Sequence, residues 1–411
     1  MNRTPLFIIL TTVFIALIGF GIIIPLLPIY AERFGANGLQ IGLLMTIYSL
    51  LQFVAAPIAG KLSDRIGRKP VLIFSLLITV VSYVMFAFAP DLKWLFISRI
   101  LSGIGGADIG VAQAYIADST DHKNRAKGMG LFGAAFSVGF IVGPVITAIS
   151  APFSEVLPAL IAAGMAGVTV IFAFFFLPES RKSGVEEEKK KHSKWKMSVE
   201  QKSIIFLTFL VITAMALLQS MIILYTLHLY GWGPSTNGLF ITMFAVVGIF
   251  IQAGLISKLV NFMGERKLFL LGALFMGIGL LVIFNSGPLS VHTGDIPEVK
   301  LGIKSLIFTL DYKFSLILLI AGSMIYSVGS AVTYPSLSSL ISKGTPSTHQ
   351  GQAIGIFQSS NSVARIVAPI LGGLLYDHAG MTAPFLAGAI FAMATAIISM
   401  KLLGVKKDAE L

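Results

Sequence analysis

Apolar runs of about 20 residues recur along the whole of this 411-residue chain, and each is long enough to cross a hydrocarbon layer of about 30 Å as a helix. Twelve can be placed, near residues 6–30, 40–60, 70–89, 93–117, 127–150, 157–177, 203–228, 236–257, 267–286, 314–340, 349–375 and 380–404. Only 12% of the residues are charged and 55% are hydrophobic, whereas a soluble domain carries about a quarter charged. Such a chain cannot coat itself for water, which excludes a water-soluble enzyme. The first run is too long for a cleavable signal, lacks a small-residue cleavage site, and contains Pro25 and Pro28. The absence of cysteine removes disulfides, thiolate metal ligands and a Cys nucleophile. The expected fold is an all-α membrane protein of twelve transmembrane helices.

The net charge of +11 would raise the question of nucleic acid in a soluble protein, but here its distribution is an orientation signal. With the N-terminus inside, the cytoplasmic segments hold 23 basic and 11 acidic residues, the outer segments 5 and 7, and the spans 2 and 1. Short loops rich in Lys and Arg stay on the cytoplasmic side. Both termini are therefore expected in the cytoplasm, in a multi-pass protein of the cytoplasmic (inner) cell membrane. The expected partners are the lipid bilayer, a small-molecule substrate and protons; no nucleic acid partner is expected, and the chain is read as a monomer.

The chain repeats itself. Residues 130–144 (GLFGAAFSVGFIVGP) and 355–369 (GIFQSSNSVARIVAP) match at seven of fifteen positions with an offset of 225. A weaker pair relates Lys61, Leu62 and Gly67 to Lys258, Leu259 and Gly264 at an offset of 197. The difference of 28 predicts an insertion in the second half, assigned to an outer loop over 287–313. The polar stretch PESRKSGVEEEKKKHSKWKMS reads as a cytoplasmic linker. The domain expectation is thus a six-helix bundle over 1–177, a linker over 178–202, a second pseudo-symmetric bundle over 203–404 and a tail over 405–411. Two such repeats suit a rocking transporter with its site near the midplane.

The segment Gly60-Lys61-Leu62-Ser63-Asp64-Arg65-Ile66-Gly67-Arg68-Lys69 packs five charges and two glycines into ten residues, read as a loop. A basic anchor explains the cations; Asp64 suits a helix N-terminus, where its charge meets the dipole. The segment matches G-x-x-x-D-[RK]-x-G-R-[RK], and the chain here closely resembles the major facilitator superfamily, in its twelve-span drug:proton antiporter branch. The resemblance covers both halves. It implies that Gly60 lets the second and eleventh helices pack closely, and that Asp64, Arg65, Gly67 and Arg68 belong to a cytoplasmic gate cluster with Asp118 as partner acid. It also implies a coupling role for Arg99. In the fifth span Gly139, Gly143 and Pro144 resemble the antiporter signature GxxxGPxxGG, although Thr147 and Ala148 replace its last two glycines; close helix packing explains the small residues equally well. The first span resembles that of tetracycline exporters, but Ala16 stands where those tend to carry an acid.

Asp108 is the one acid placed within hydrocarbon, and a buried acid is suited to loading and releasing a proton. A structural partnership with Arg99 or Arg365 is the alternative, although nine residues put Arg99 and Asp108 on opposite faces of a straight helix; three glycines between Arg99 and Ile109 could bend it. Arg365 has no counterpart in the first half, and an intramembrane arginine is a functional-site hypothesis. With Gln358 and Asn361 it forms a polar stripe on one helical face. Contact with the second span through Gln52 is the alternative. Gln113, Gln219, Tyr225, Tyr326 and Phe357 complete the substrate-site candidates. No catalytic residue, metal site or cofactor is expected, the proton gradient being the energy source, and no G-x-x-x-x-G-K-[ST] motif is present. These residues lead to a proton-coupled antiporter that exports amphipathic small molecules by alternating access. An exporter or exchanger of an anionic metabolite or lipid headgroup is the alternative, and a non-transporting membrane sensor a remote one.

Overall fold

The computed structural model describes residues 3–120, 125–180, 197–287, 303–346 and 349–402, and every regular element among them is a helix. In chain order these are α1 (Arg3–Arg33), α2 (Gly38–Ile66), α3 (Arg68–Ala87), α4 (Leu92–Gly105), α5 (Asp108–Ser119), α6 (Arg125–Ser150), α7 (Leu157–Phe176), α8 (Val199–Tyr230), α9 (Pro234–Phe250), α10 (Ile256–Phe284), α11 (Ile303–Lys343), α12 (Gln350–Ala379) and α13 (Ala383–Leu402). Ten helices among the described residues are long and apolar enough to cross a membrane. α4 and α5 together make one span. α9 continues through a π-helical turn, Ile251–Leu255, into α10, which breaks at Gly264 (φ 76°, ψ 160°) and so contributes to two spans. The order is that of a twelve-helix transporter.

Local chemistry sets several ends. Asp91 accepts from the Trp94 N–H and starts α4, and Ser198 with Gln201 forms a capping box on α8. α8 therefore begins at Val199, inside the stretch read as linker. α11 reaches back to Ile303, so residues 303–313 of the segment read as an outer loop are helix; residues 288–302 lie outside the described residues. The charged segment after the second span is not a loop either. α2 runs to Ile66, Gly67 alone leaves helical geometry at φ 107°, and α3 begins at Arg68. A positive φ costs glycine nothing and strains other residues, so one glycine replaces the whole turn.

The helices form two compact units, Met1–Ala36 with Leu43–Lys194 and Trp232–Thr242, and Asn37–Gly42 with Trp195–Gly231 and Met243–Leu411. In the first, Ile9, Val13 and Leu17 of α1 pack on Leu72 and Leu76 of α3 and on Val111 and Tyr115 of α5. In the second, Leu207 and Val211 of α8 pack on Phe269 of α10, Leu337 and Ile341 of α11 and Phe357 of α12. Close helix contacts fall at small residues: a Cβ on Gly143 of α6 would lie 2.5 Å from the Gly21 carbonyl carbon of α1, and one on Gly329 of α11 would lie 2.5 Å from the Gly272 carbonyl oxygen of α10. Without a hydrophobic drive between helices in lipid, such close packing supplies the association. Large apolar side chains such as Val168, Ile171 and Phe175 of α7 stand exposed, as a lipid-facing surface requires.

Candidate functional site

Three polar clusters stand out, and each is built within one unit. The first lies where the fourth span breaks. The chain leaves helical pairing between Gly105 and Asp108, and Gln52 of α2 donates through Nε2 to the freed Gly106 carbonyl at 3.0 Å. The same amide reaches the Tyr48 hydroxyl at 3.3 Å. The Tyr48 ring in turn lies 5.2 Å from that of Phe20, tilted by 32°, and Phe20 meets Phe140 at 6.1 Å. A Cβ on Gly106 would sit 2.9 Å from both Gln52 Nε2 and the Tyr48 hydroxyl, so the break, the glutamine and the tyrosine require one another. Gln52 is thus committed to the broken span.

Asp108 opens α5 as its first residue. A carboxylate there meets the positive end of a half-helix, and broken spans of this kind expose ion-binding groups at membrane depth. Arg99 lies in α4, only 3% exposed, so it does not snorkel to an interface. Its Nη2 donates to Ser102 Oγ at 3.1 Å, its guanidinium lies 5.4 Å from the Phe86 ring centroid, and its Nε has no hydrogen-bond partner among the described residues. Neither Asp108 nor Arg99 is in an ion pair among the described residues. At the repeat offset of 225 Asp108 corresponds to Thr333 and Arg99 to Met324, so this polar pair belongs to the first half alone. Gln113 is half-buried one turn and a half further along α5.

The second cluster is on α12. Asn361 donates to Gln358 Oε1 at 3.2 Å and to the Tyr334 hydroxyl of α11 at 3.3 Å. Gln358 approaches the same hydroxyl at 3.4 Å, and the Tyr334 ring lies 5.6 Å from that of Phe357. Asn361 is buried, and its Oδ1 has no partner among the described residues. Arg365, two turns from Gln358, is exposed. The other candidates are dispersed. Tyr225 is fully buried and shares a hydrogen bond with Ser286 at 2.8 Å; Tyr326 and Phe357 are core residues; Gln219 is exposed on α8. Their aromatic bulk is committed to packing, which the sequence pattern could not distinguish from a binding surface.

The third cluster surrounds Gly67. Arg68 donates to Asp64 Oδ1 at 2.5 Å, to Ser63 Oγ at 2.6 Å and to Asp118 Oδ2 of α5 at 3.0 Å. The Glu179 carboxylate accepts from the backbone N–H groups of Arg68 at 2.8 Å and Lys69 at 3.1 Å, capping α3. It lies where a Gly67 side chain would be. The Tyr115 hydroxyl holds the adjacent Pro178 carbonyl at 2.8 Å. Arg65 is exposed in the last turn of α2. Gly60, expected to permit close helix packing, faces open space: a Cβ there would meet no atom of its unit within 4 Å. Gly139 and Gly143 do pack closely, against Leu17 and Gly21 of α1, and Pro144 lies in the same helix. Thr147, in place of a signature glycine, donates to the Ile22 carbonyl at 3.0 Å. Sequence reasoning missed Glu179, hidden in a charged stretch, and Tyr48 and Tyr334, which no motif marks.

The family model for the Major Facilitator Superfamily matches residues 9–293 and 204–410. The class H tetracycline resistance protein of Pasteurella multocida is 30% identical over 389 residues, covering 92% of this chain and 90% of that one. Multidrug resistance protein 1 of Bacillus subtilis (strain 168) is 30% identical over 382 residues, with the same coverage. Among solved structures, a transporter of the POT family superposes with a TM-score of 0.75 at 15% identity, covering 99% of this chain and 96% of that one. A human organic anion transporter gives 0.67 at 21%, covering 97% and 99%. At these identities the structural likeness speaks for the fold. The repeat, the twelve spans, the Gly67 cluster and the full-length match agree: this chain is a membrane transporter, not an enzyme, and belongs to the Major Facilitator Superfamily.

Proposed function

We propose that this protein is a proton-coupled antiporter that exports amphipathic, drug-like molecules, with both termini in the cytoplasm and its basic loops facing inward. The observation that carries the reading is Asp108, a carboxylate at the start of a half-helix inside a span, with no side-chain cation in an ion pair with it among the described residues. An acid so placed can exchange a proton with whichever side the cavity opens to, and the helix dipole favours the charge it then carries. Relatives that are tetracycline and multidrug resistance proteins support a drug-like substrate. Ala16, where tetracycline exporters tend to carry an acid, argues for a substrate other than tetracycline.

The test is uphill ethidium transport in proteoliposomes under an imposed pH gradient. Asp108→Asn should abolish gradient-driven transport and retain ethidium binding. Unchanged uphill transport would disprove the coupling role.

One observation favours a second reading. Arg365 is exposed within α12, beside an asparagine with a free acceptor, and would suit an anionic substrate. If Arg365→Ala stops organic anion movement while dye efflux persists, the natural substrate is an anion.

A further inference from the structure

The internal repeat carries an ion pair across the two halves with its charges exchanged. In the first unit the order is a positive-φ glycine, Gly67, then Arg68, whose guanidinium meets Asp118 at the end of the fourth span. In the second unit Gly264 breaks α10 at φ 76° and ψ 160°, close to the φ 107° and ψ 157° of Gly67. Glu265 follows it, and its Oε1 accepts from Lys343 Nζ at 2.6 Å at the last residue of α11. The offset of 197 that relates Gly67 to Gly264 carries Arg68 onto Glu265. The offset of 225 that relates Gly130 to Gly355 carries Asp118 onto Lys343. Both partners fall on repeat positions, and both are reversed in sign.

The supporting hydroxyl is reversed as well. Ser63, on the helix before Gly67, serves Arg68 at 2.6 Å; Ser339, on the span, serves Glu265 at 2.7 Å. Asn261 stands where the offset places Asp64, so the second cluster lacks the extra acid of the first. The Glu265 side chain is only 13% exposed and that of Lys343 67%. Glu265 also borders a cavity of about 300 Å³ with Asn261, Pro335, Ser336 and Ser339. A mostly buried carboxylate left without its lysine would keep only the Ser339 hydroxyl among these contacts, so the pair holds the end of α11 against the break in α10.

We propose that Glu265 and Lys343 form a second, charge-reversed clamp that positions the tenth span during transport, as Arg68 and Asp118 position the fourth. The pair acts through the helices it joins; its members are positioning residues that need not touch substrate. The inference rests on the repeat and the transporter fold, and requires neither proton coupling nor a particular substrate.

The native chain has no cysteine, so Ser336→Cys, buried beside the cavity, provides a single reporter in the full-length protein. Glu265→Lys and Lys343→Glu should each raise its alkylation by N-ethylmaleimide about three- to five-fold, the scale of one partly exposed ion pair. The double exchange should return the rate to within about two-fold of the parent, because it restores attraction across the same joint. In proteoliposomes the single variants should lower the maximal rate of ethidium transport more than its KM, and the exchange should recover it. Unchanged alkylation in the single variants, or a double exchange no better than either, would overturn the clamp. If the parent moves no ethidium, the export reading fails, and alkylation still decides this one. Monodisperse elution of each variant separates loss of the clamp from misfolding, and the conservative pair Glu265→Asp and Lys343→Arg should stay near the parent rate.

Discussion

Gln52 donates to the carbonyl of Gly106 at 3.0 Å, and so the second span satisfies the backbone group that the break in the fourth span releases. In hydrocarbon no water can take that role. The side chain that allows Asp108 to begin a new half-helix therefore sits on another helix, 54 residues before Gly106 in the chain.

Gln52→Leu should consequently destabilise the protein by about 1–3 kcal/mol, the cost of a buried acceptor left unpaired. Gly106→Ala should act in the same direction, since its methyl would crowd Gln52 and Tyr48. Thermal unfolding in detergent reads both. A Tm within error of the parent for the two variants would mean that the break is held by other contacts.

Gly143→Ala should also destabilise, by about 1–3 kcal/mol, because the new methyl overpacks the α1 contact at Gly21. Gly130→Ala on the same helix meets no atom within 4 Å and should be neutral or stabilising by up to about 1 kcal/mol. Equal stability of the two variants would contradict the packing of α6 on α1.

At the opposite end of α1 from its start, Arg33 pairs with Glu155 in the connection before α7, and the Tyr30 hydroxyl donates to the Glu155 carbonyl at 2.5 Å. Hydrogen bonding and proximity to Arg33 hold the Glu155 carboxyl below the usual carboxylate range. A depressed folded value means that its stabilisation is present above the unfolded pKa and is lost as pH falls through the folded one. The pair is about half exposed, so the effect should stay below about 1 kcal/mol. Unfolding measured from neutral pH down to pH 3 should show a smaller acid-induced loss in Arg33→Ala than in the parent; identical pH profiles would show the pair contributes nothing.

Asn361→Ala should weaken ethidium binding about tenfold, the scale of one hydrogen bond between a buried acceptor and a ligand amino group. Its effect on Tm should be small, because the substitution also removes a buried acceptor that lacks a partner. Fluorescence titration against the parent reads the first, and an unchanged Kd would remove Asn361 from the binding surface.

The α4–α5 break shows how far the residues alone could lead. Three glycines between Arg99 and Ile109 left room for a bend, because glycine weakens a helix wherever it falls. That Gln52 and Tyr48 would occupy the opening, and that Arg99 would turn to Ser102 and Phe86, depended on neighbours far away in the chain. The Glu265–Lys343 pair was legible in principle through the two repeat offsets, yet its reversed charges defeat a search for identities. Glu179 was hidden because a capping carboxylate looks like any other charge in a polar stretch. The aromatic candidates divided in the structure: Tyr225 and Phe357 entered the core, while Tyr334, without a motif, became the partner of Asn361.

The sequence by itself determined the helical class, the twelve spans and the repeat. Insertion into hydrocarbon is a sum over neighbouring residues, and each apolar run satisfies its backbone internally whatever its neighbours do. Only the tertiary structure decided which polar groups are satisfied and by whom: Arg68 by Asp118, Gly106 by Gln52, Glu265 by Lys343, and Asn361 Oδ1 by nothing among the described residues. Those pairings join residues far apart in the chain, and a hydrogen bond or ion pair forms only between atoms that packing brings within about 3 Å.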